Sequence, residues 1–184
     1  MKIMLDPGHG GNDPGASFRG LAEKEITLQI ARVLSGMLGH SHYEVRATRG
    51  WDEFVPLAAR ARTANEWPAD LYVSIHTNAD PDDDAPGQPE ATGAEVWAVS
   101  PRGKALGGYI GQAFRYTFPG EPWRGVKERG LYVLTHTVMP AVLVETAFID
   151  ASDSVRKLTD PRVLGQIAFC ILRGILKYEE VFHA

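Results

Sequence analysis

Short β-rich apolar runs alternate along this chain with segments whose apolar residues recur at helical spacing, and that alternation limits the fold more than any other feature. The runs predict strands over Lys2 to Asp6, Glu44 to Thr48, Leu71 to Thr77, Ala94 to Ser100, Gly130 to Leu134 and Ala141 to Phe148. Helical spacing predicts helices over Ala22 to Leu38, Val55 to Trp67, Gly103 to Phe118 and Pro161 to Tyr178. In the first helix Ile26, Ile30, Val33, Leu34 and Met37 define one inward stripe. Asp160 and Pro161 read as the N-cap and first residue of the last helix. Strands joined through helices of this length need crossover connections. The expected fold is therefore α/β, a largely parallel sheet covered by helices on both faces. At 184 residues the chain suffices for one well-buried domain, taken as 1–184, and is short for two. Asn78 to Gly93, rich in Asp, Pro and Ala, reads as a long surface loop.

Composition excludes more than it selects. A net charge of −4 makes no global case for nucleic acid or an anionic membrane as partner. The single cysteine, Cys170, lies in an apolar run and is expected to be a buried, inert thiol. No apolar run is long enough to insert in a membrane, and the chain opens directly into a strand without a leader. The expectation is a protein without a signal peptide, cytoplasmic until released, or else a mature or trimmed fragment. No heptad seam is visible, so a monomer is expected.

Four ionisable residues stand out by position. His9 follows the first strand in the glycine-rich run Gly8 to Gly15, and His76 ends the third. That edge of an open α/β sheet is where ligand crevices form. Glu23 lies three and seven residues before Ile26 and Ile30, on the inward stripe of the first helix. Glu145 interrupts the most apolar strand. Two imidazoles and an inward carboxylate make a three-ligand set for zinc with an open position. Glu145 is then free to act as general base, its apolar setting raising its pKa. Taken singly, each has an ordinary structural explanation. A strand-end histidine can simply be hydrogen-bonded, Glu23 can favour its helix N-terminus, and Glu145 can pair with a buried cation such as Lys127.

Together, and in this order, Asp6-Pro7-Gly8-His9-Gly10-Gly11, Glu23-Lys24-Glu25, Ser74-Ile75-His76-Thr77-Asn78-Ala79 and Val142-Leu143-Val144-Glu145-Thr146-Ala147-Phe148 closely resemble the catalytic domain of zinc-dependent N-acetylmuramoyl-L-alanine amidases. That family includes autolysins, sporulation amidases and phage endolysins, and the resemblance runs from residue 2 to about residue 178. It implies a mixed, mostly parallel sheet flanked by helices. It puts His9, Glu23 and His76 in the places of the zinc ligands and Glu145 in that of the catalytic glutamate. The implied substrate is peptidoglycan, cut at the amide between the lactyl group of N-acetylmuramic acid and L-alanine. Ala147 stands where a glycine is common. The Asn78 to Gly93 segment does not look like a long inhibitory helical insertion. Action on the bacterial cell wall would then follow release of a phage endolysin or lysis of a mother cell.

Other residues have two readings each. Asn78 hydrogen-bonds substrate or caps its loop, and Asp6 and Asp13 orient ligands or hold the glycine turn. His136 approaches the cleft or stays at the surface, while His40, His42 and His183 are expected to be solvated. The four tryptophans stack on sugars or fill the core. Arg60 and Arg62 are surface residues or bind carboxylates of the substrate. The competing functions are a zinc peptidase acting on stem peptides and a non-catalytic peptidoglycan-binding module.

Overall fold

The computed structural model describes residues 1–40, 42–80 and 90–182. His183 and residues 81–89 of the expected loop lie outside the described residues. The chain runs β1 (Lys2–Pro7), the hairpin β2 (Ser17–Phe18) and β3 (Leu21–Ala22), α1 (Glu23–Gly39), β4 (Glu44–Ala47), α2 (Leu57–Glu66) and β5 (Leu71–Asn78). It continues through β6 (Ala94–Trp97), α3 (Pro101–Thr117), β7 (Trp123–Lys127), α4 (Tyr132–Thr135), β8 (Ala141–Phe148), α5 (Ser154–Leu158) and α6 (Pro161–Phe182). Among the described residues one six-stranded sheet has the order β4-β1-β5-β8-β6-β7. Its β4, β1, β5 and β8 are mutually parallel, whereas β6 runs antiparallel to β8 and parallel to β7. The sheet is mixed and mostly parallel.

Alternation along the strands feeds two cores. Ile3, Leu5, Leu71, Val73, Ile75, Val142 and Val144 face α1, α3 and α6, meeting Ile26, Ile30, Leu34, Leu106, Ile110, Ile167 and Ile171. Met4, Tyr72, Ala141 and Leu143 face the other way, under Ala64 and Trp67 beside α2 and Val133 and Leu134 of α4. Each fully buried aliphatic side chain contributes about 1.5–3 kcal/mol. Val33, assigned to the inward stripe, is 36% exposed and lies outside it. Asp160 caps α6 as expected, its Oδ1 accepting from Arg162 N at 2.8 Å. Cys170 is buried, and burial pushes its thiol up to about 11. No helix among the described residues is long and apolar enough to cross a membrane.

One strand is corrected. Gly130 to Leu134 is not a strand but leads into the helical turn α4, and the strand at that edge of the sheet is β7. Consecutive Val133 and Leu134 both bury, which a strand with one covered face cannot do. The Thr135 and Thr137 hydroxyls donate back to the Leu131 and Val133 carbonyls, at 3.1 and 2.7 Å, and favour the helical turn. The strand expected over Ala94 to Ser100 ends at Trp97, because Ser100 caps α3 by accepting from Gly103 N.

Two buried arginines fix the exit of β1. Arg60, expected at the surface or on substrate carboxylates, is instead 3% exposed. It donates to Asp6 Oδ1 at 2.8 Å and to the Pro7, His9 and Val55 carbonyls. Arg49, 1% exposed, donates to the carbonyls of Pro7, Gly8, Lys24 and Trp51. Asp6 also accepts from Thr48 and Ser74, at 2.6 and 2.7 Å. Burial works to raise the Asp6 pKa, but Arg60 and these hydroxyls outweigh it and hold the carboxyl below its usual range. The stabilisation is therefore complete above the unfolded-state value of ~3.9 and is lost as pH falls through the lower folded-state value. Asp6→Ala should cost about 3–5 kcal/mol near neutral pH by stranding the Arg60 charge. In urea unfolding across the acid range, the gap to wild type should narrow only below about pH 4.

Candidate functional site

Strands β1 and β5 are neighbours, pairing Asp6 with Ser74 and Pro7 with Ile75, so their ends emerge together. Gly8 N extends the ladder to Ile75 O at 2.9 Å. His9 then turns out of the sheet at φ 60. Its ring and that of His76 lie 5.0 Å apart, edge to face. From α1, Glu23 enters between them, 4% exposed and on the same helical face as Ile26 and Ile30. Glu23 Oε1 lies 2.9 Å from His76 Nδ1 and accepts from Thr77 N at 3.0 Å. Oε2 lies 3.1 Å from His9 Nε2 and accepts from Ala16 N at 3.0 Å. The approach is tight enough to need glycine. A Cβ at Gly8 would collide with the His76 ring, and one at Gly15 with Glu23 and the His9 ring.

The donor arrangement could hold a cation. Asp13 Oδ2 lies 2.9 Å from His9 Nδ1, so a neutral His9 donates there and turns the Nε2 lone pair toward Glu23. Two acceptors at hydrogen-bond distance need a proton or a cation between them. Ligand atoms of His9, Glu23 and His76 all lie within 4.8 Å of one another, a set that could hold a divalent ion. Burial works to raise the Glu23 pKa, but His76 and His9 outweigh it and hold the carboxyl well below the usual range. Burial likewise opposes the His9 imidazolium, yet hydrogen bonds and charge from Glu23 and Asp13 raise its pKa.

Glu145 stands beside this group, in register with His76 on one side and with Glu95 of β6 on the other. Its Oε2 is buried and has no hydrogen-bond partner among the described residues. Burial, reinforced by Glu23 and Glu95 and opposed by His76, raises its pKa to about 7. Lys127, weighed as a partner for Glu145, instead bonds Glu95 Oε2 at 2.6 Å. Asn78 places its amide nitrogen 3.3 Å from Glu95 Oε1, and its carbonyl accepts from Ala79 N at 2.9 Å. His136 is not brought to this group: it stacks on Tyr132 with ring centroids 3.8 Å apart. His40 and His42 are exposed, as expected, and His42 bonds Glu179. Trp67 is core, Trp97 and Trp123 are half-buried, and Trp51 is 64% exposed.

The family described as N-acetylmuramoyl-L-alanine amidase matches residues 3–177. This chain belongs to that family. It is 36% identical over 172 residues to N-acetylmuramoyl-L-alanine amidase CwlM of Bacillus licheniformis, covering 91% of this chain and 64% of that protein. The endolysin of Bacillus phage SPP1 is 39% identical over 178 residues, covering 94% of this chain and 64% of that protein. The chain thus spans 64% of the length of these two relatives. In structure it is similar to N-acetylmuramoyl-L-alanine amidase AmiC2 of Nostoc punctiforme, with a TM-score of 0.90 and 32% identity, covering 98% of this chain and 97% of that one.

Within this amidase-family chain, the residues that sequence reasoning missed are those that hold others in place. Arg49 carries no periodic signal, since it lies just past β4. Arg60 does carry one: it shares a helical face with Ala64 and Trp67, which are buried. Glu95 sits in a strand too short to show its alternation. Gly15 offers a direct check on the packing around His9 and Glu23, being at φ 66 and lacking room for a Cβ. Gly15→Ala should lower unfolding free energy in urea by more than about 1 kcal/mol, because alanine is disfavoured where φ is positive.

Proposed function

We propose that this amidase-family chain hydrolyses the amide joining the lactyl group of N-acetylmuramic acid to L-alanine in peptidoglycan, using zinc held by His9, Glu23 and His76. Residues 1–184 form one catalytic domain that acts on the cell wall as a monomer. The supporting observation is the convergence of two imidazoles on a buried carboxylate beside Glu145, whose Oε2 is buried without a partner among the described residues. An unsatisfied buried oxygen costs about 1–3 kcal/mol, a cost without return in a module that only binds. A proton acceptor needs that free lone pair.

When bound, zinc supplies Lewis acidity that polarises a carbonyl and acidifies water. Glu145 removes a proton from the attacking water as its oxygen bonds the lactyl carbonyl carbon. It then returns that proton to the L-alanine nitrogen as the carbon–nitrogen bond breaks. A carboxyl raised to about 7 can take and return a proton near neutrality. Asp13 holds the Nδ1 proton of His9 and keeps Nε2 turned toward the centre. Asn78 retains one amide hydrogen beyond its contact with Glu95 and is proposed to offer it to substrate.

Purified peptidoglycan digested with this protein should yield new amino ends on L-alanine, and a chelator should stop their release. Ends on another residue would indicate a peptidase instead. Glu145→Gln should lower turnover by about 100-fold to 10,000-fold while zinc content, measured by elemental analysis, stays at wild-type level. Near-normal turnover in that variant would remove Glu145 from the chemistry.

A further inference from the structure

A row of side chains crosses the sheet beside the proposed centre. His76 of β5 pairs in register with Glu145 of β8, and Glu145 with Glu95 of β6. Such cross-strand partners share a face, roughly 5 Å apart. Beyond Glu95 lies β7, carrying Arg124 and Lys127. Three residues apart, they would face opposite sides of an unbroken strand. They do not, because β7 carries a bulge. Ala94 pairs with Trp123 but Val96 with Val126, one extra residue on β7, and Gly125 within it has φ +97.

The extra residue brings both cations to one carboxylate. Lys127 Nζ lies 2.6 Å and Arg124 Nε 3.2 Å from Glu95 Oε2. Glu95 is buried, yet the side chains of Arg124 and Lys127 remain 36% and 37% exposed. Glu95 alone cannot neutralise two cations, so these three side chains together carry a net positive charge, with both cations partly exposed. Among the described residues the Arg124 Nη atoms make no hydrogen bond, which leaves a guanidinium fork open. Phe148 lies under Arg124 and Trp97 under Lys127, at 4.9 and 5.3 Å, steadying both.

Position indicates what this charge meets. On the proposed function, on which this inference rests, Glu145 hands its proton to the departing nitrogen. The peptide therefore leaves on the Glu145 side of the centre, and β6 and β7 are the next strands on that side. Two strand spacings, roughly 10 Å, are within reach of the few residues that follow L-alanine at about 3.5 Å each. We propose that Arg124 and Lys127, brought together on Glu95 by the Gly125 bulge, form a subsite for a carboxylate of the departing stem peptide. The subsite makes the enzyme selective for anionic stems.

The test uses two synthetic muramoyl peptides, identical except that the carboxyl groups borne by the residues after L-alanine are free in one and carboxamides in the other. Wild type should favour the carboxylate in kcat/KM by about tenfold or more, the effect of a charge-assisted forked contact. Added salt should shrink that preference. Arg124→Gln and Lys127→Met should each move the ratio toward one. Because the ratio is taken within one preparation, partial misfolding cancels. Equal rates on the two substrates in wild type, or a ratio that neither substitution moves, would overturn the subsite. If wild type released L-alanine-ended peptide from neither substrate, the proposed activity itself would fall, and the subsite with it.

Discussion

Where β1 leaves the sheet, the carbonyls of Pro7, Gly8 and His9 lose their ladder partners, and two buried guanidiniums take them up. Buried backbone acceptors must be satisfied, and the contacts to Pro7 and Gly8 are buried, that to His9 part-buried. The rest of the site follows from that exchange. Arg60 enters the interior because Asp6 neutralises it, and Arg49 because it is surrounded by carbonyl oxygens. The turn can then adopt a positive φ at His9 and aim its ring at Glu23 without leaving backbone groups stranded. An arginine suits the task better than a lysine, since its planar fork bonds several acceptors at once.

Above this anchor the parallel sheet does the positioning. Neighbouring parallel strands end on one edge, which sets His9 beside His76 and His76 beside Glu145 without any local sequence relation between them. The reversal at β6 and β7 changes what the edge offers next. It brings Glu95 into register with Glu145 and sets two cations behind it. An imidazole, two carboxylates and two cations therefore lie in strand order across one face.

Much of this was legible beforehand. The Ile26, Ile30 and Leu34 spacing located α1 and pointed Glu23 inward, because helical periodicity is a property of the local chain. The apolar run around Glu145 and the strand-end places of His9 and His76 were equally readable. Neither reading of Arg60, at the surface or on substrate carboxylates, places it inside, because charge ordinarily means exposure and its counter-ion Asp6 lies 54 residues away. Gly130 to Leu134 misled for a related reason. A five-residue apolar run cannot separate a strand from a buried helical turn, and the threonines that decide it act through backbone bonds.

The amino-acid sequence by itself determined the α/β alternation, the inward face of α1 and the chemistry placed at the strand ends, because each depends on spacing within one element. Only the tertiary structure decided which charges are partners. Among the described residues Glu145 Oε2 has no hydrogen-bond partner, Lys127 goes to Glu95, and Asp6 holds Arg60, because strand order, strand direction and the β7 bulge set which side chains come within hydrogen-bond reach. Electrostatic pairing falls off over a few ångströms, and those distances exist only once the sheet has assembled.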